Sequence, residues 1–204
     1  MSEPDQGESD GGRMDKPAHW LWRRADKWYL LWLPPGAIFS FFAGIILWGG
    51  FNTAVELSST ETFCISCHSM RDNVYQEYQE TIHYKNTSGV RATCPDCHVP
   101  TPWVYKILRK FRATYTDIPA ELLGTINTRE KFEARRAVMA EDVWQEMKAA
   151  DSRECRNCHA MEFMDLQEQD PSARKKHYLN AVRESGKTCI DCHQGIAHHL
   201  PEVE

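Results

Sequence analysis

The chain has 204 residues, 42% of them hydrophobic and 26% charged, with a formal net charge of −5. That length holds one soluble domain and little more. It excludes a multidomain enzyme, and no nucleic-acid partner is expected.

Residues 1–15 are rich in Gly, Ser, Asp and Glu and read as a disordered tail. Lys16, Arg23, Arg24 and Lys27 follow, interleaved with Trp20 and Trp22. From Trp28 to Val55 no residue is charged, a run of 28 where a spanning helix needs roughly 20. Pro34 and Pro35 suit its first turn, where a missing N–H costs nothing. Trp28, Tyr29 and Trp32 at one end and Trp48 near the other resemble interfacial aromatic belts. The run is long for a signal peptide and no small-x-small cleavage site follows Trp48, so an uncleaved single-pass anchor is expected. Cations precede it and Glu56 and Glu61 follow it, which puts the N-terminus in the cytoplasm. The expected division is a cytoplasmic tail and interfacial segment (1–27), an anchor (28–55) and a domain outside the bacterial inner membrane, in the periplasm (56–204).

Four motifs dominate that outer part: Cys64-Ile-Ser-Cys67-His68, Cys94-Pro-Asp-Cys97-His98, Cys155-Arg-Asn-Cys158-His159 and Cys189-Ile-Asp-Cys192-His193. Cys-x-x-Cys-His is the attachment signature of c-type haem. The two thiols bond the haem vinyl groups, and the imidazole reaches the iron from one face. Structural zinc would use paired cysteines but does not call for a histidine after every second one. A thioredoxin-like pair would stand once, in a βαβ context that is absent. All eight cysteines are used, so four covalently bound c-type haems are expected. Four apolar macrocycles would also supply the interior that this composition lacks. The fold class expected is therefore mainly α with much irregular structure, one N-terminal transmembrane helix preceding a multihaem cytochrome c domain.

The first two motifs begin 30 residues apart (64 to 94) and the last two 34 apart (155 to 189), with 61 between (94 to 155). Each pair encloses one more histidine, His83 or His177, which reads as an internal duplication of a dihaem unit. The units are placed at about 56–112 and 150–204, with a helical spacer at about 113–149. Before the spacer, Trp103, Ile107, Leu108 and Phe111 share a helical face, with Lys106, Arg109 and Lys110 on the rest. Such a helix lies in a membrane interface or packs on haem with its cations on the propionates. Within residues 128–150, Phe132, Met139, Val143 and Met147 have helical spacing, and Asn127 with Glu130 resembles a capping box.

Nine histidines are present, four of them in the motifs. His19 lies on the cytoplasmic side of the anchor, which leaves His83, His177, His198 and His199 for the open faces of the irons. His198 follows His193 by five residues across Gln-Gly-Ile-Ala and is preferred to His199. Met70 and Met161 each stand two residues after a motif histidine, and the sequence alone does not separate them as ligands.

Several stretches are similar to the NapC/NirT family of membrane-anchored tetrahaem quinol dehydrogenases: Leu-Trp-Gly-Gly-Phe-Asn-Thr (47–53), Cys-Ile-Ser-Cys-His-Ser-Met (64–70), Gly-Val-Arg-Ala-Thr-Cys-Pro-Asp-Cys-His-Val-Pro (89–100) and Cys-Ile-Asp-Cys-His-Gln-Gly-Ile-Ala-His (189–198). The resemblance covers nearly everything after residue 28. It implies an electron-transfer protein with quinol dehydrogenase activity and no terminal reductase activity. Such a protein draws electrons from membrane quinol (menaquinol or ubiquinol) at the lipid bilayer and passes them to a periplasmic reductase, here the nitrate reductase complex. The alternative acceptor is a nitrite, N-oxide or S-oxide reductase. The haem nearest the membrane would be bound at Cys64 and Cys67 with Met70 as axial ligand, which leaves the role of His68 open. The other three irons would use His98, His159 and His193, with His83, His177 and His198 opposite in an order the resemblance does not assign. Family members carry a carboxylate in the second motif beside the first haem and a basic residue upstream; Asp96 and Arg91 match those positions as quinol-site candidates. Arginine stays charged, so Arg91 would orient the quinol or act on Asp96 without shuttling a proton. An ion pair in solvent is the plainer role for the two.

Overall fold

The computed structural model describes residues 34–178 and 186–202, and the tail, His19 and the basic and aromatic residues before Leu33 lie outside them. Among the described residues there are helices and no strand, in keeping with the mainly helical class expected. The chain divides into two compact units, 1–53 and 54–204.

The first long helix, α1 (Pro35–Leu57), has 23 residues, about 34 Å at 1.5 Å per residue. It starts where the two prolines predict, with the Pro34 carbonyl accepting from Ala37 N–H at 2.9 Å. Its mean hydropathy is 1.6 and only 6% of its apolar window is buried inside the protein. Phe39, Phe41, Phe42, Ile46 and Leu47 are all more than half exposed. A helix apolar on every face and uncovered by protein is built for lipid, and the protein is membrane-anchored.

Beyond it come short helices: α2 (Glu61–Cys64), a π-helical turn (Met70–Val74) running into α3 (Tyr75–Gln79), α4 (Cys94–His98), α5 (Trp103–Tyr115) and α6 (Asp117–Leu122). The one long soluble helix is α7 (Arg129–Ala149), followed by α8 (Arg153–Arg156), α9 (Pro171–His177) and single 3-10 turns at Met161–Phe163, Leu166–Glu168 and Cys189–Asp191. The N-cap of α7 is Thr128 and not Asn127: Thr128 is extended (φ −123°, ψ 158°) and its Oγ1 accepts from Lys131 N–H. Asn127 instead accepts from the Lys131 ammonium, so the pattern identified the right turn one residue early.

Between residues 54 and 204 the buried apolar side chains among the described residues are Val55, Tyr78, Ile126, Phe132 and Ile190. A unit of that length ordinarily buries most of its apolar surface. Five such side chains do not replace that surface, as expected of a polypeptide that wraps prosthetic groups.

Helix α7 ends in a Schellman turn, with Ser152 N–H on the Met147 carbonyl (2.7 Å) and Asp151 N–H on that of Lys148 (3.0 Å). Asp151 (φ 52°) and Ser152 (φ 49°) both sit in the left-handed region, which favours glycine. Ser152 is fully buried and its Oγ accepts from Ile190 N–H at 3.2 Å, tying the end of α7 to the fourth motif. Ser152→Ala should destabilise the haem-loaded protein by about 1–3 kcal/mol, because Ile190 N–H is left buried without an acceptor. Ser152→Gly loses the same bond but relieves the backbone, so it should cost about 1 kcal/mol less than alanine. Denaturant unfolding of the detergent-solubilised protein measures both, and equal losses would refute the backbone part of this account.

Candidate functional site

Each Cys-x-x-Cys-His motif begins in one tight turn. In the second, Thr93 donates its N–H and hydroxyl to Asp96 Oδ2, both at 2.6 Å. In the fourth, Thr188 does the same to Asp191 Oδ2 at 2.7 and 3.0 Å. A side chain closing the first turn in this way fixes the path of the flanking cysteines. Lys148 takes Asp191 Oδ1 at 2.6 Å; with Thr188 it pushes that carboxyl down to about 2. Asp96 is exposed and has no such cation among the described residues.

The motifs lie in a row in chain order. Helix α2 packs on α4, and α4 on α8. Cys94 lies within electrostatic reach of Cys64, Cys97 of Cys155 and Cys158, and Cys155 of Cys189. Burial first, and these sulfur neighbours second, push the Cys94 and Cys97 thiols up to about 11. No two of the eight sulfurs are bonded to each other. Protonated, half-buried thiols are poor nucleophiles. Among the described residues no group of three or more His, Cys, Asp or Glu side chains could hold a bare metal ion. The zinc alternative therefore gains no support, and thioether attachment of haem suits the sulfurs.

Six of the imidazoles lie in three close pairs. Ring centres are 6.2 Å apart for His83 and His159, 6.2 Å for His98 and His198, and 5.8 Å for His177 and His193. A metal about 2 Å from each ligating nitrogen, itself about 1 Å from its ring centre, sets two opposed imidazoles about 6 Å apart. Burial drives His98 down to about 4, so the ring is the neutral form that binds metal. His177 Nδ1 lies 2.7 Å from Gln169 Oε1, and His83 Nδ1 lies 3.4 Å from the Ile196 carbonyl. An acceptor on Nδ1 fixes the tautomer that leaves Nε2 free for a metal. His198 Nδ1 is buried and lacks a well-formed hydrogen bond; the Val74 backbone is near enough to favour the protonated ring without meeting that geometry. A small pocket beside Cys97 and His98 has Arg109 and Arg153 at its wall. The residues present fit haem.

Two of the three pairs cross the expected dihaem units. His83 stands between the first two motifs yet faces the third, and His198 follows the fourth yet faces the second. His177 and His193 pair within their own half.

The first motif is different. His68 Nε2 lies 3.3 Å from Glu121 Oε1 on α6, and the buried Ser69 hydroxyl donates to the other Glu121 oxygen. Met70 follows at once, half-buried, and opens the π-helical turn; π turns occur often at functional sites because they re-aim one side chain. Met161 stands beside a histidine whose partner is already His83.

The structure does not pair Arg91 with Asp96. Arg91 donates to Glu61 Oε1 at 2.5 Å and lies over the Tyr84 ring, 4.3 Å from its centre. Glu61 Oε2 is buried and unpartnered. On α5, Lys106 meets Glu56 at 2.7 Å, Arg109 meets Asp117 at 3.2 Å, Arg112 meets Glu146, and Lys110 donates to the Ser58 carbonyl. Protein groups thus occupy the cations that one of the two alternatives for this helix placed on haem propionates. Sequence reasoning missed Glu61, Glu77, Glu121 and Arg136, each of which has a partner 30 to 122 residues away that leaves no local pattern.

Residues 29–203 match the family model described as the NapC/NirT cytochrome c family, N-terminal region. The chain is 59% identical over 160 residues to the denitrification system component NirT of Stutzerimonas stutzeri, covering 78% of each protein. It is 50% identical over 184 residues to the cytochrome c-type protein NapC of Escherichia coli K12, covering 90% of each. It is 44% identical over 173 residues to the cytochrome c-type protein TorY of Escherichia coli O157:H7, covering 83% of this chain and 46% of TorY. No solved structure matches.

Proposed function

Because the chain belongs to the NapC/NirT cytochrome c family, we propose that it oxidises membrane quinol and relays the electrons to a periplasmic reductase, with nitrate reductase as the favoured acceptor. The observation that carries this reading is the set of three close imidazole pairs. Haem bound covalently at the motifs supplies a one-electron acceptor. Four haems would be held, and His98/His198, His159/His83 and His193/His177 are the residues that would bind three of the irons. Irons bound by two imidazoles of the chain would suit electron transfer over reduction of a small molecule. At the first motif Glu121 occupies His68, so Met70 is the group free to serve as the axial ligand. Thioether ligation raises a haem potential relative to bis-histidine ligation, which sets the first centre apart.

Quinol oxidation releases two protons as well as two electrons. Asp96 keeps Oδ1 for a proton, since its cap uses Oδ2. Arg91, fixed by Glu61 and Tyr84, supplies a permanent cation to orient a quinol oxygen. With its cations occupied, α5 leaves Val104, Leu108, Phe111 and Tyr115 between 58% and 77% exposed at helical spacing. In a membrane-anchored protein with a cytoplasmic N-terminus, that stripe suits the outer lipid interface. The second reading keeps the same relay and changes the acceptor to a nitrite, N-oxide or S-oxide reductase. Co-purification with the native reductase decides between them.

His83→Ala, His177→Ala and His198→Ala should each add one high-spin haem to the spectrum of the unaltered protein, whereas His68→Ala should add none; absorption and EPR spectra check this. The rings of His83 and His159 are nearly perpendicular (81°) and those of the other pairs nearly parallel (30° and 29°). One axial and two rhombic low-spin signals should result. Asp96→Asn keeps an acceptor for both Thr93 bonds and should lower quinol oxidation at least tenfold with full haem content; unchanged turnover would remove Asp96 from the mechanism. Phe111→Glu should raise the KM for quinol several-fold in proteoliposomes, and an unaltered KM would refute the interfacial placement.

A further inference from the structure

Glu77 and Arg136 are buried, and neither stands in a motif or beside the candidate quinol residues. Their side chains are 6% and 8% exposed. Arg136, on α7, forks onto Glu77 with Nη2 on Oε1 at 2.5 Å and Nη1 on Oε2 at 3.0 Å. Its Nε and Nη2 also donate to Glu133, at 2.5 and 2.8 Å. The fifth donor goes elsewhere. Nη1 reaches the backbone carbonyl of His199 at 3.3 Å, while His199 N–H donates to Glu77 Oε2 at 2.9 Å. All five N–H groups of the guanidinium are thereby used.

The residue gripped at both its N–H and its C=O follows His198 directly. The stretch leading to it folds back on itself: Gly195 has φ +73°, and a Cβ there would lie 3.0 Å from Leu200 Cγ. The clamp joins α3, α7 and the C-terminal stretch, three segments far apart in sequence. The His198 ring itself is weakly held: its buried Nδ1 lacks a well-formed hydrogen bond, with the Val74 backbone nearby.

We propose that the Glu77–Arg136 pair is a positioning device for the second haem: by holding the His199 peptide on both sides it seats the His198 imidazole opposite His98. Neither residue touches the iron. A ligand on a stretch without helix or strand would otherwise exchange with solvent, and the clamp keeps that exchange slow. The inference rests on the ligand assignment proposed above, so its test separates the two.

The test uses the full-length, haem-loaded protein in detergent, with haem content measured as pyridine haemochrome. Compared with the unaltered protein, Glu77→Gln should retain four haems yet carry one more high-spin haem, reactive with carbon monoxide, and added imidazole should return it to the low-spin form. Glu133→Gln, which touches Arg136 but not His199, should match the unaltered protein. His198→Ala is the reference. If it gains a high-spin haem and Glu77→Gln does not, the clamp is refuted while the ligand stands. If His198→Ala gains none, the ligand assignment itself fails, and the clamp with it. Should Glu77→Gln fail to accumulate with four haems, Arg136→Lys is read in the same way. Lysine keeps the charge but cannot bridge Glu77 and the His199 carbonyl, so an Arg136→Lys protein that gains no high-spin haem overturns the proposal.

Discussion

The residues between 54 and 204 hold together with little apolar interior. Five buried apolar side chains among the described residues are a small core for that length, and ordering each residue costs roughly 1–2 kcal/mol of backbone entropy. On the proposed ligation, His83 with His159 and His98 with His198 join residues 76 and 100 positions apart in the chain. Closing loops of that length in the folded state needs strong local bonds at the closure points. Metal–imidazole bonds are strong and directional, so folding and haem loading are coupled as they are in small metal-bound domains. The crossing also explains why the unit after Thr53 is one compact body, although its sequence reads as a duplication.

A polypeptide that invests so little in apolar packing relies on buried charge for register. Breaking a buried ion pair by removing one partner costs about 3–5 kcal/mol, whereas the intact pair contributes little net stability over apolar residues of the same size. Such pairs hold alignment better than they hold free energy. Burial alone would raise the Glu77 carboxyl; the Arg136 fork and the His199 N–H outweigh it and hold it below its ordinary value. A group whose folded pKa is depressed contributes stability above its unfolded pKa and loses it as the pH falls through the folded value. The alignment of the C-terminal stretch therefore weakens only on the acid side of the carboxylate range.

Sequence carried the chemistry and missed the wiring. The four motifs, the anchor and the helical class were legible because each rests on a local pattern: a fixed cysteine spacing, a charge-free run of helix-spanning length, apolar residues at helical intervals. The bookkeeping singled out His83, His177 and His198, and the structure places their rings near those of His159, His193 and His98. Which ring faces which was illegible, since nothing near His83 in the sequence points to His159. The expected link between Arg91 and Asp96 shows the limit of proximity in sequence. Five residues separate them, yet Arg91 turns to Glu61, thirty positions upstream, because Tyr84 and Tyr78 stack beneath its guanidinium on that side. The repeat of Thr-Cys-x-Asp-Cys-His at Thr93 and Thr188 was likewise visible as sequence, but that aspartate and threonine close the same turn twice was not.

That twin closure bears on how the two ends of the proposed relay differ. Asp191 spends one oxygen on Thr188 and the other on Lys148, so it is a finished structural cap. Asp96 has the same first contact and lacks the second. The first motif departs in the same direction: its histidine is engaged by Glu121 where each of the other three meets a histidine. Both departures fall at the end of the row of motifs that follows the anchor in sequence. A relay that receives electrons at one end and passes them through like centres to the other requires that kind of asymmetry.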